Sequence, residues 1–177
     1  MGGNALKNTE TVRVDSDTYF TLWNDINHHL HQLDVHYELI PAYASKQSFG
    51  DMDILYKSED GRDIIQEIVD ILHPHEVVRN GDVTSMDYMK LQIDFIKVHP
   101  DEFSFALRYF SFNDLGNLIG RIAHKMRLKF GHTGLLYPYR VGDKVLAEIV
   151  VTRDYFEALN ICGYPIVTGK QIGRAHG

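Results

Sequence analysis

The 177-residue chain has one cysteine, five prolines and one tryptophan, and 18 Lys and Arg stand against 24 Asp and Glu, for a net charge of −6. The lone Cys162 excludes an internal disulfide framework, so a reducing compartment is expected. No apolar run approaches the roughly 18 residues of a membrane span. The opening Met1–Lys7 lacks a signal-peptide core, and Leu6 stands where a myristoylation signal needs Ser or Thr. Repeats, low-complexity tracts and Pro/Gly/Ser-rich linkers are also missing. With 44% hydrophobic and 24% charged residues the composition excludes a disordered chain. The expectation is a monomer without a membrane partner, cytoplasmic or nuclear, long enough for one domain with two lobes.

The shortage of cations argues against a general nucleic-acid binder, because phosphate contacts draw on Lys and Arg. The distribution is uneven, however. From Leu115 to Gly142 there is no Asp or Glu, while Arg121, Lys125, Arg127, Lys129 and Arg140 all fall there. One lobe is basic and the other acidic, which suits an acidic metal site beside a basic substrate-holding surface.

Hydrophobic spacing and turn residues predict the elements. Asp15 or Ser16 caps a helix running to about Leu33, with Tyr19, Leu22, Trp23, Ile26 and Leu30 on one face. A strand over Tyr37–Tyr43 follows, then a polar loop, Ser45 to Gly50. Asp51–Tyr56 reads as a strand ended by a turn at Ser58-Glu59-Asp60-Gly61. Arg62–Leu72 is an amphipathic helix, and Asn80-Gly81 signals a hairpin. Lys90–Val98 is a strand. Asp114–Phe130 is a helix with Leu115, Leu118, Ile119, Ile122 and Met126 as its buried stripe. A short strand or two and a small helix over Arg153–Asn160 complete the chain. Helices mixed with hairpin signals predict an α+β fold with a mixed sheet. Its division is expected at 1–105 and 106–177.

The residues that carry chemistry are carboxylates. In a strand Asp51 and Asp53 project to one face while Met52 and Ile54 enter the core. Paired carboxylates repel unless a cation lies between them, and Mg²⁺, or Mn²⁺ in its place, is the hard ion they suit. Asp94 is the one acid in the apolar strand Leu91–Ile96, a costly position unless paired or bound to metal. If the two strands are neighbours, three carboxylates meet on one face, as two-metal phosphoryl transfer requires. Taken alone, an Asp-x-Asp pair is also the pattern of an exposed strand end, and Asp94 that of a satisfied edge-strand acid. The histidines His28, His29, His31, His73 and His75 pair with no cysteines and do not read as a zinc site.

Ser48-Phe49-Gly50-Asp51-Met52-Asp53-Ile54-Leu55 resembles the Ser-Gly-Asp-Met/Ile-Asp strand of the family X DNA polymerases, the DNA polymerase beta group of the nucleotidyltransferase superfamily. Gln92-Ile93-Asp94-Phe95-Ile96 is similar to the strand bearing that family's third carboxylate. The run Tyr109-Phe110-Ser111-Phe112-Asn113-Asp114-Leu115-Gly116-Asn117-Leu118-Ile119-Gly120-Arg121 resembles its Tyr-Phe-Thr-Gly turn and following helix. The segment Asp154 to Pro165 resembles its closing helix and turn. The likeness covers residues 12 to 168, in order, and matches a minimal form without lyase domain, as in small viral members.

The resemblance implies a nucleotidyltransferase palm and a small C-terminal lobe binding nucleotide and DNA. It implies Mg²⁺-dependent transfer from a nucleotide triphosphate to a nucleic-acid 3′-hydroxyl, as in gap-filling DNA repair. Asp51, Asp53 and Asp94 would be catalytic and hold the metal. Ser45, Lys46, Ser48 and Gly50 would lie along the triphosphate loop, and Tyr109 and Phe110 would pack on the nucleotide sugar. Asp114 would lie beside the base, Asn117 on the minor-groove edge, and Arg121 on the template strand. Independently of the resemblance, Arg121, Lys125 and Lys129 recur at i, i+4 and i+8 on one side of the expected helix, opposite its apolar stripe, and are expected to bind DNA together. The alternatives that stay open are a tRNA, protein or small-molecule acceptor, a non-catalytic nucleotide-binding module, and, for Phe110, a place in the core.

Overall fold

The computed structural model describes residues 5–57 and 62–165. The fold is α+β, with a mixed sheet flanked by helices, and the chain divides into two compact units, Met1–Phe103 and Ser104–Gly177. The turn expected at Ser58–Gly61 lies outside the described residues. Among the described residues no helix is long and apolar enough to cross a membrane.

In the first unit β1 (Val14–Asp15) leads into α1 (Ser16–Leu30), whose N-terminus is capped by the Asp15 carboxylate accepting from the Thr18 amide at 2.8 Å. Next come β2 (His36–Leu39), β3 (Ser48–Phe49), β4 (Asp51–Lys57) and α2 (Ile65–Leu72). The strands β5 (Val77–Asn80), β6 (Val83–Tyr88) and β7 (Leu91–Lys97) follow. The five-stranded sheet has the order β2-β4-β7-β6-β5, with only β4 and β7 parallel. Its apolar face, Met52, Ile54, Tyr56, Met86, Leu91, Ile93 and Phe95, packs against Tyr19, Leu22, Ile26 and Leu30 of α1 and Ile65, Ile68 and Leu72 of α2. Period-2 alternation leaves the other face to Asp51, Asp53, Ser85, Asp87, Gln92 and Asp94.

Several expected boundaries shift for local reasons. The loop before Asp51 contains β3, which pairs with β1 and has no signal in the sequence pattern. Arg62, Asp63 and Ile64, expected in the first turn of α2, stand outside the helix, which starts at Ile65, where the Asp63 carboxylate accepts from the Ile65 amide. Lys90 is in a turn rather than a strand: Met89 and Lys90 both have positive φ, 48° and 67°, and join β6 to β7 as a two-residue hairpin.

The second unit comprises α3 (Phe103–Phe110, starting at the boundary), α4 (Leu115–Lys125), β8 (Lys129–Gly131), β9 (Gly134–Val141), β10 (Lys144–Thr152) and α5 (Tyr155–Ile161). Its core is Phe105, Ile119, Ala123, Phe130, Leu135, Tyr155, Ala158 and Cys162. The buried stripe expected on α4 is wrong in most of its members. Leu115, Leu118 and Met126 are exposed, and the face turned inward is Gly116, Ile119 and Ala123. The reason is close approach: a Cβ at Gly116 would collide with the Tyr109 carbonyl of α3. Nor does α4 reach Phe130. Leu128 N–H bonds back to Ala123 O at 2.9 Å and Arg127 N–H to His124 O at 3.0 Å, with Arg127 at φ 61°. This is a Schellman ending with arginine where glycine is usual. The remaining strands form a long hairpin, β9–β10, with nearly all of β10 exposed.

Candidate functional site

The parallel register of β4 and β7 sets Asp53 opposite Asp94 and Asp51 opposite Gln92. Across β7, Asp94 faces Ser85 and Gln92 faces Asp87. Two polar rungs therefore cross the sheet, Asp53–Asp94–Ser85 and Asp51–Gln92–Asp87. One ligand oxygen from each of Asp51, Asp53 and Asp94 lies within 4.8 Å of the others, the one such group of potential metal ligands among the described residues. Burial first, then the charges of Asp51 and Asp94, push the Asp53 carboxyl up to about 7. Asp94 is also raised, chiefly by burial, against the opposing effect of hydrogen bonds from Ser85 and Gln92. Partly buried carboxylates that disfavour one another's ionisation, with only oxygen donors on offer, fit a hard divalent cation such as Mg²⁺ or Mn²⁺.

The loop before β4 lies beside this cluster. Lys46 packs its ammonium over the Phe49 ring, 4.6 Å from the centroid, and is close enough to oppose the rise of Asp53. Ser45 is exposed in a turn, its carbonyl accepting from the Gln47 side chain. Ser48 accepts from Arg13 through its hydroxyl at 3.0 Å and its carbonyl at 2.9 Å. A Cβ on Gly50 would come within 2.7 Å of the same guanidinium. Arg13 is a second cation of this loop that sequence reading missed, because it precedes β1, far from the loop in sequence. Tyr19, expected only as a core residue, stacks on Phe49 at 3.9 Å. Its phenol is held above its usual range by burial and by the charges of Asp53 and Asp51.

The second unit has a groove of about 1400 Å³ between α4 and the β8–β10 sheet. Tyr109, Asp114, Asn117, Arg121, Lys125 and Lys129 all line it, joined by Arg127, Tyr137 and Arg140. Asp114, Asn117, Arg121 and Lys125 are exposed, and the Asn117 amide donates to Asp114 at 3.4 Å. Lys129 departs from the expected row: it sits on β8, beyond the end of α4, and donates to both oxygens of Glu148 at 2.8 and 2.9 Å. Phe110 does not line the groove; half-buried, it stacks on His132 at 5.7 Å. Phe112 and Asn113 both take φ 59°, so a phenylalanine makes the left-handed bend that glycine would make more easily.

No protein-family model matches the chain, and no curated protein matches it.

Proposed function

We propose that this protein is a divalent-metal-dependent nucleotidyltransferase that joins a nucleoside monophosphate to a nucleic-acid 3′-hydroxyl, with pyrophosphate as the leaving group. The observation that supports it best is the meeting of Asp51, Asp53 and Asp94 on one sheet face. The likeness of the flanking segments to family X DNA polymerases supports the same reading. Magnesium, when bound, would make the attacking hydroxyl more acidic and offset charge at the leaving phosphate.

The chain's own residues then have distinct tasks. Asp51, Asp53 and Asp94 would hold the ions, and Asp94 would also orient the 3′-hydroxyl and accept its proton. Lys46 in the Ser45–Gly50 loop and Arg13, bonded to Ser48 of it, meet the triphosphate's charge. In the second unit Tyr109 and Asp114 serve the nucleotide. Asn117, Arg121 and Lys125 follow the nucleic acid, where one amide and one guanidinium suffice to test pairing in the minor groove.

The test is incorporation of a labelled nucleotide with Mg²⁺ or Mn²⁺ on gapped, recessed and single-stranded DNA, one nucleotide at a time. Template-directed addition that disappears in Asp51→Ala and Asp94→Ala is expected. Incorporation that persists in those variants overturns the assignment. Triphosphate binding without incorporation on any acceptor makes the chain a binding module, and addition indifferent to the template makes it a terminal transferase.

A further inference from the structure

Gln92 is only 2% exposed and sits on the polar face between Asp51 and Asp87. Its amide nitrogen donates to both oxygens of Asp94, at 2.9 and 3.1 Å. Its amide oxygen accepts from the backbone N–H of Ala5 at 3.0 Å. The segment that supplies this N–H is tied down a second time. The Glu76 carboxylate accepts from the amides of Lys7, Asn8 and Thr9 at 2.8–3.0 Å, and the Glu76 amide itself donates to Asp87 at 2.8 Å. Leu6 is buried between the two anchors.

An amide side chain has one accepting and one donating end, and a half-turn exchanges them. Ala5 presents a donor, so the oxygen of Gln92 must face it, and the amide nitrogen must then face Asp94. Turned the other way, Gln92 would set its oxygen against a carboxylate. From this we propose that Gln92 is a positioning residue of the carboxylate site, and that residues 5–9 are a strap that locks its orientation. The inference rests on the metal-site reading above. One amide nitrogen shared between the two Asp94 oxygens, beside the hydrogen bond from Ser85, holds the orientation of that carboxylate and leaves it lone pairs for an ion. Groups that hydrogen-bond a metal ligand from behind are worth about 10- to 100-fold in metal affinity.

The test is Mn²⁺ binding by calorimetry on the full chain, with thermal unfolding as the check on folding. The variants are Gln92→Leu, Ala5→Pro, which removes the N–H donated to Gln92, Ala5→Gly, which keeps it, and the double variant Ala5→Pro/Gln92→Leu. The expected result is a loss of about 10- to 100-fold in Gln92→Leu. A smaller loss is expected in Ala5→Pro, none in Ala5→Gly, and no further loss when Ala5→Pro is added to Gln92→Leu. Unchanged affinity in Gln92→Leu, or losses that simply add in the double variant, would overturn the inference while the metal site stands. If Gln92→Leu does not fold, the contrast between Ala5→Pro and Ala5→Gly decides alone. Wild-type protein that binds no Mn²⁺ overturns the metal reading itself, and this inference with it.

Discussion

Asp53 and Asp94 occupy one rung of the only parallel strand pair in the sheet, side by side on the face turned away from α1 and α2. Neighbouring acids on a rung destabilise the fold unless a proton or a cation intervenes.

The pH dependence follows from that rung. Asp53 titrates at about 7 when folded and near 4 when unfolded, so between those values the native state binds more protons. Stability of the metal-free protein should therefore fall as pH rises from about 4 to about 7, then level off, by an amount on the order of 4 kcal/mol. Asp53→Asn should flatten this profile in chemical denaturation and raise stability at about pH 8. Protons compete with metal at the same oxygens, so Mn²⁺ affinity should drop about tenfold between about pH 7.5 and about pH 6. A calorimetric titration at the two values checks it.

Charge reversal should separate the groove's cations. Arg121→Glu with Lys125→Glu should abolish DNA binding at about 0.1 M salt. Lys129→Glu alone should do much less, because Lys129 is already paired with Glu148. Fluorescence anisotropy across a salt series measures both, with the salt slope reduced by about 0.9 for each phosphate that is no longer neutralised. Triphosphate binding should survive in each variant.

Arg127→Gly should have opposite effects on stability and binding. Arginine in the left-handed region costs roughly 1 kcal/mol, which glycine avoids, so the melting temperature should rise by a few degrees. DNA affinity should fall, because Arg127 lines the groove.

Two glycines of α4 should respond in opposite directions to alanine. Gly116→Ala forces a methyl into the Tyr109 carbonyl and should destabilise by at least about 1–3 kcal/mol. At Gly120 the nearest atom, the Phe130 carbonyl oxygen, is 3.4 Å from the added Cβ. Gly120→Ala should stabilise by up to about 1 kcal/mol through helix propensity. Paired thermal denaturation curves decide it.

The carboxylate cluster was legible because charge interrupts an apolar, period-2 strand, and that pattern fixes which face each acid takes. The register between β4 and β7 had only to bring the strands together. Gln92 was not legible: a glutamine in a strand reads as an ordinary polar residue, and its bonds join backbone and side chains from opposite ends of the unit. The end of α4 was hidden because Arg127 occupies the position where glycine would have signalled it. Its inward face was misread because Gly116 and Ala123 are small, while the larger Leu115 and Leu118 point outward. The β9–β10 hairpin carries apolar residues on both faces, so alternation failed there. Gly142, at φ 59°, is the one local signal of its turn.

The parallel pairing of β4 with β7 also orders the folding reaction. β5, β6 and β7 join through two-residue turns and can zip locally, whereas β4 must close a loop containing α2 and both hairpins before its rungs form. The carboxylates are thus assembled by the most distant pairing in the sheet and come together late. Their mutual repulsion opposes that last closure, and a divalent ion would act on the finished sheet, slowing its unfolding far more than it hastens its formation.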